Sequence, residues 1–180
     1  MSQPQAVIFD IGNVLTGWQP QAFYDRVIGQ DRRRALFAEV DLLAMNQALD
    51  SGAPFRDTVY ALADQHPKWA AEIRFWHDRW AELAMPRIEG SIALLRALKA
   101  KAVPVFALTN SGASVYDAAR ETQDFQALFD RAYVSGKLGA IKPDARIYQM
   151  VEADCGLPPT DLLFTDDKLE NVEAAAARGW

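Results

Sequence analysis

The residues of this chain that could do chemistry stand at four places. Asp10 closes the apolar run Ala6-Val7-Ile8-Phe9, with Gly12 two positions beyond it. Thr109 and Asn110 close a second run, from Val103 to Leu108, and lead into Ser111-Gly112. Lys142 stands before Pro143-Asp144, ahead of an apolar pattern at Ile147, Tyr148 and Val151. Asp166 and Asp167 follow the run Leu162-Leu163-Phe164-Thr165, and Asn171 comes shortly after. A carboxylate, a hydroxyl, an ammonium and an acidic pair, each at a strand end or helix start, are the pattern of a site in which a carboxylate acts as nucleophile or holds a hard cation. Each also has a plain structural explanation. An Asp after a strand is a common turn residue, so Asp10 reads as nucleophile, metal ligand or cap. Asp166 and Asp167 equally suit the N-terminus of the helix that carries Asn171.

The elements that must position these groups decide whether they form one site. Short, wholly apolar runs bounded by turn residues read as buried strands of a parallel sheet. Ligands of such sheets bind in the crevice outside the carboxyl ends of the strands, where Asp10, Thr109 and the acidic pair all fall. The fold class expected is α/β, a Rossmann-like three-layer sandwich around a parallel sheet. From Pro20 to Ala84 the alternation of strand and helix stops. Apolar stripes at Ala22, Phe23, Val27 and Ile28, at Leu36, Phe37 and Val40, and at Phe55, Val59, Tyr60 and Leu62 carry helical spacing. A fourth stripe, Ile73, Trp76, Trp80 and Leu83, follows Pro67. This predicts an inserted helical bundle of roughly four or five short helices. The α/β part resumes near Ile88, with a helix from Ser91 to Lys101 that places Leu94, Leu95 and Leu98 on one face.

In combination, F-D-I-G-N-V-L at Phe9–Leu15, T-N at Thr109-Asn110, K-P-D-x-x-I-Y from Lys142, and D-D-x-x-x-N-V from Asp166 resemble the motifs of the haloacid dehalogenase superfamily of aspartyl-nucleophile hydrolases. The likeness covers nearly the whole chain. It is greatest to the branch with a helical cap after the first motif, which includes sugar-phosphate phosphatases and the phosphatase domain of soluble epoxide hydrolases. The resemblance implies residues 1–17 and 86–180 as the core and 18–85 as the cap. It implies that Asp10 attacks phosphorus to give a phosphoaspartyl intermediate. A Mg²⁺ cofactor would take oxygen ligands from Asp10, Asp167 and the Gly12 carbonyl, with Asp166 as a ligand or behind one. Thr109, Asn110 and the amides after Thr109 would hold phosphate oxygens, Lys142 would balance charge, and Asn171 would orient the acidic pair. Members of the family continue into another strand after the helix that ends near Trp180.

One position departs from the pattern. Most phosphatases of the superfamily carry a second Asp two residues after the nucleophile, as general acid and base, and here Gly12 stands there. Loss of a general acid typically costs about 10²–10⁴ in rate. Water or another residue takes over, the substrate has a good leaving group, or the protein is not a phosphatase. The rival enzyme is a 2-haloacid dehalogenase, with Asp10 attacking carbon and no metal. Two more carboxylates beside that nucleophile would repel it without a cation, so Asp166-Asp167 favours the phosphatase. A third alternative is a non-catalytic protein that binds a phosphorylated ligand.

The remaining features set bounds. At 180 residues with 50% hydrophobic content, the chain suits one core domain and a subordinate module. A net charge of −5 speaks against nucleic acid or an anionic membrane as partner; the partner that the resemblance implies is a small phosphorylated metabolite. Cys155 is the lone cysteine, which fits a reducing compartment. With no signal-type or membrane-length apolar segment, the expected location is cytoplasmic; the oligomeric state is left open. Trp76 and Trp80 read as packing, Trp18 as either packing or pocket wall, and His66 and His77 as ordinary residues of the insert.

Overall fold

Residues 3–180 are described in the computed structural model of the chain. Four parallel strands, β1 (Ala6–Phe9), β2 (Val105–Thr109), β3 (Arg131–Val134) and β4 (Leu162–Thr165), form one sheet in the order β3-β2-β1-β4. The register aligns Phe9 with Ala107 on one side and with Thr165 on the other. Alternate strand residues face opposite layers, as the pleat requires. Ala6, Ile8, Phe106 and Leu108 pack against Ile147, Tyr148 and Val151 of α10 (Ala145–Cys155) and Ala175 of α11 (Leu169–Ala176). Val7, Phe9, Val105 and Ala107 pack against Ile92 and Leu95 of α7 (Glu89–Ala100) and Tyr116 of α8 (Ala113–Ala119). This is the three-layer α/β sandwich expected.

Two elements differ from expectation. β3 carries no apolar run: Arg131 and Ala132 are exposed at the sheet edge, and only Tyr133 and Val134 are buried. On α7 the buried face is Ile92 and Leu95, whereas Leu94 is 54% exposed. Leu94 precedes Leu95 by one residue, which turns it about 100° away around the helix.

Between Pro20 and Leu83 the regular structure is all helical, with more pieces than expected. It comprises α1 (Pro20–Ile28), α2 (Gln30–Glu39), α3 (Leu42–Asp50), α4 (Phe55–Gln65), α5 (Ala70–Asp78) and α6 (Trp80–Leu83). The stripe Ile73–Leu83 is split because Arg79 leaves the helical region, at φ −123° and ψ 27°. α3 is started by Asp41, whose Oδ1 accepts from the Ala44 amide at 2.8 Å, a normal N-cap. The insert has its own apolar centre, formed by Phe23, Tyr24, Leu36, Leu49, Val59, Ile73 and Trp76, to which α8 adds Val115. Its two connections run side by side: the Gly17 amide donates to the Pro86 carbonyl at 2.7 Å, and the Ile88 amide to the Leu15 carbonyl at 2.9 Å. A Cβ at Gly17 would stand 2.5 Å from the Met85 carbonyl oxygen, so only glycine permits that approach.

Candidate active site

β1 is flanked by β2 on one side and β4 on the other, which makes the end of β1 the point where chain connections diverge to opposite sides of the sheet. Crevices open at such points. The cavity there has a volume of about 180 Å³, and Asp10, Gly12, Thr109, Lys142 and Asp167 all line it. The four separated segments of the sequence therefore meet at one rim.

Lys142 is the hub. Its Nζ donates to Asp10 Oδ1 at 2.8 Å, to the Leu108 carbonyl at 2.8 Å and to Asp166 Oδ2 at 2.6 Å. All three ammonium protons are used, and the side chain is only 1% exposed. Asn110 fixes the backbone beneath it: its Nδ2 donates to the Lys142 carbonyl at 2.9 Å and its Oδ1 accepts from the Lys142 amide at 2.8 Å. The peptide bond from Lys142 to Pro143 is cis. Both ends of the Asn110 amide are engaged in this way, so its side chain supports Lys142, and the residue also lines the cavity.

The acidic pair divides into two environments. Asp166 is enclosed: besides Lys142, its Oδ1 accepts from the Lys168 amide and from Asn171 Nδ2, each at 2.9 Å. Asn171, buried at 3% exposure, orients it as expected. Asp167 is exposed, and its Oδ2 accepts from Asn13 Nδ2 at 3.0 Å. Burial pushes the Asp10 carboxyl above its ordinary pKa; Lys142 pulls it down and Asp166 pushes it further up.

Asp10, Asp166 and Asp167 each offer a carboxylate oxygen within 4.8 Å of the others. Three carboxylates against the one ammonium of Lys142 leave a formal charge of −2 when all are ionised (−3 + 1). Packed oxygen donors with two uncompensated negative charges suit a hard divalent cation such as Mg²⁺. Gly12 lines the same cavity, and its carbonyl accepts no backbone hydrogen bond among the described residues. A Cβ at Gly12 would meet Trp18 Cβ at 3.8 Å and Asp10 Oδ2 at 3.9 Å, ordinary contacts. The missing second Asp is therefore not excluded by space.

Aromatic residues shape the wall. Trp18 and Trp80 both line the cavity, with ring centroids 4.7 Å apart, and Trp76 lies edge-on to Trp18 at 5.7 Å. Trp76 is fully buried, as its reading as packing requires. Trp80 combines packing with pocket lining. His77 is held by Asp78 at 2.7 Å with its ring centroid 4.8 Å from that of Phe55, and it is not among the residues that line the cavity. Asn13 escaped the sequence reading. It sits at φ +54°, a conformation asparagine tolerates, and bridges Asp167 to the Trp18 amide, which donates to its Oδ1 at 2.8 Å. Asp50 was also missed; it closes α3 and lines the cavity from the insert.

The family model for haloacid dehalogenase-like hydrolases matches residues 4–179. The chain belongs to this hydrolase family. Among its relatives, the sesquiterpene phosphatase astK of Aspergillus oryzae is 30% identical over 97% of this chain and 86% of its own length. The fold is similar to that of a HAD-family enzyme from Bacteroides thetaiotaomicron solved as a magnesium complex, with a TM-score of 0.72, 16% identity, and 99% and 91% of the two chains covered. It is also similar to the L-2-haloacid dehalogenase of Xanthobacter autotrophicus with chloropropionic acid covalently bound, at a TM-score of 0.68, 19% identity, and 99% and 76% coverage. No helix among the described residues of this HAD-like hydrolase is long and apolar enough to cross a membrane.

Proposed function

We propose that the chain is a Mg²⁺-dependent phosphomonoester hydrolase that works through a phosphoaspartyl intermediate on Asp10. The observation that carries this reading is the acidic trio around one buried lysine. A haloacid dehalogenase needs one carboxylate and no metal, and gains nothing from Asp166 and Asp167, whose charges would oppose ionisation of Asp10. A phosphatase needs a dication to let a carboxylate approach a dianionic phosphate. The relative named as a sesquiterpene phosphatase supports the same choice.

In this reading Asp10 Oδ2 attacks phosphorus, because Oδ1 is held by Lys142 at 2.8 Å. Thr109, at the end of β2 and 5% exposed, holds a phosphate oxygen through its hydroxyl. Lys142 keeps Asp10 ionised and counters charge on the transferring group. Asp10, Asp167 and the Gly12 carbonyl would hold Mg²⁺, with Asp166 behind them as the group that fixes Lys142 and the turn at Lys168. When bound, the ion neutralises charge between carboxylate and phosphate.

The substrate in this proposal is a small phosphorylated metabolite. A sugar phosphate is one reading. The apolar lining by Ile11, Trp18, Trp80, Val115 and Ala119, together with the terpenoid named in the relative's activity, favours a second, the phosphate ester of an apolar alcohol. The test is phosphate release from para-nitrophenyl phosphate, sugar phosphates and prenyl monophosphates, with Mg²⁺ and with EDTA. Release abolished by EDTA is expected. Chloride release from 2-chloropropionate in EDTA, with no phosphate release, would make the protein a dehalogenase. Binding of a phosphate analogue without turnover across the panel would make it a binding protein.

A further inference from the structure

Gly12 leaves the proposed reaction without the usual proton donor, and the structure brings another carboxyl to the cavity from the insert. Asp50, the last residue of α3, lines the same cavity as Asp10, Gly12 and Thr109. Its place is fixed by a backbone clasp. The Asp50 carbonyl accepts from Ser135 Oγ at 2.6 Å, and that hydroxyl accepts from the Ser111 amide at 2.9 Å. Ser111 lies two residues beyond Thr109. The main chains touch at glycines here: a Cβ on Gly112 would stand 2.9 Å from the Leu49 carbonyl, and one on Gly52 would stand 3.2 Å from the Gly136 carbonyl. The end of α3 is thus seated on the loop that follows β2, and Asp50 is held relative to Thr109.

One carboxyl oxygen of Asp50, Oδ2, accepts from Asn46 Nδ2 at 3.0 Å. The other has no hydrogen-bond partner among the described residues. The charged groups that face it are Lys168 and Lys142, which favour its ionised form, and Asp10, which opposes it. Burial outweighs the two lysines and pushes the carboxyl up to about 7.

Building on the phosphatase reading, we propose that Asp50 is the general acid and base of this enzyme, supplying from the insert the proton that Gly12 cannot. In the first step the Asp10–phosphorus bond forms as the ester P–O bond breaks, and the Asp50 proton passes to the leaving oxygen, which departs as a neutral alcohol. In the second step the Asp50 carboxylate takes a proton from water as that water attacks phosphorus. Inorganic phosphate leaves, and both carboxyl groups return to their starting states.

The test compares two esters on the wild type and on Asp50→Asn. An alkyl phosphate needs its leaving oxygen protonated, whereas para-nitrophenolate leaves as an anion. In single-turnover measurements of the first step, Asp50→Asn should slow release of the alkyl alcohol by about 10²–10⁴-fold, spare release of para-nitrophenolate by comparison, and remove the fall in the alkyl-ester rate on the alkaline side. Gly12→Asp in the Asp50→Asn background should restore alkyl-ester turnover, since a Cβ at Gly12 meets only ordinary contacts; this also separates a chemical loss from a folding loss. Equal losses on both esters in that first step, or an alkyl-ester rate and pH profile that do not move, would overturn the role of Asp50. Absence of phosphate release from both esters by the wild type would instead remove the phosphatase reading, and this proposal with it.

Discussion

Lys142 Nζ donates to Asp10 Oδ1 at 2.8 Å, and the ammonium that makes this bond is sealed from solvent. The pair is a buried charge contact in which the lysine also compensates Asp166. Removing one member of such a contact leaves uncompensated charge and typically costs about 3–5 kcal/mol. Lys142→Met should therefore lose stability of that order in urea titration and lose turnover entirely. Near-normal stability would show that Asp10 and Asp166 do not depend on this ammonium.

Asp167 makes one side-chain hydrogen bond among the described residues, to Asn13, and is the accessible member of the acidic trio. Asp167→Ala should leave folding intact and weaken Mg²⁺ binding by at least about tenfold, measured by calorimetry on the protein without substrate. Asn13→Ala should weaken it less, because it releases only the orientation of Asp167. An unchanged Mg²⁺ affinity in Asp167→Ala would remove that residue from the metal site.

Asp50 also has a consequence for stability. Folded, it keeps its proton up to about pH 7; unfolded, it releases the proton near 3.8. Between those values the folded chain binds more protons, so a rise in pH costs stability across this window. Asp50→Asn removes that cost. The variant should melt above the wild type at pH values beyond about 7, and the advantage should vanish below about 4. Thermal melts across that range check it; a gap independent of pH would contradict the placement of the carboxyl.

The clasp under α3 is open to a direct steric test. A Cβ on Gly136 would stand 2.6 Å from the Ala113 amide nitrogen and 2.9 Å from the Ser111 carbonyl, both backbone atoms that cannot swing aside. Overpacking of this kind typically costs about 1–3 kcal/mol. Gly136→Ala should lower the melting temperature and reduce kcat together, since it displaces the loop that holds Thr109. Gly90→Ala, where a Cβ meets nothing within 4 Å, serves as the matched control.

Much of this arrangement was legible in sequence, for a physical reason. β1 and β2 are central and buried along their length, and β4, an edge strand with only Leu162 buried, is apolar up to Thr165, so all three runs stand out, and a parallel sheet places whatever follows them at one rim. Asp10, Thr109 and Asp166 could be grouped on that basis alone. β3 was hidden because an edge strand needs only Tyr133 and Val134 buried. α3 was hidden because Leu42, Met45 and Leu49 are flanked by Asp41 and by Asp50-Ser51-Gly52, which read locally as turns. Asp50 went unnoticed for the same reason, and because its meeting with Thr109 depends on the insert folding back onto α8. Asn110 shows the converse: its motif was visible, but only the structure shows that its amide grips Lys142.

The central claim is that Asp10 carries the phosphoryl group. The most direct measurement is acid quench of the protein during turnover of a ³²P-labelled phosphomonoester with Mg²⁺, followed by peptide mapping. The account predicts label on the peptide containing Asp10, lost on treatment with hydroxylamine and absent from Asp10→Asn. Steady phosphate release with no label on that peptide at any quench time, or with Asp10→Asn turning over at the wild-type rate, would contradict it.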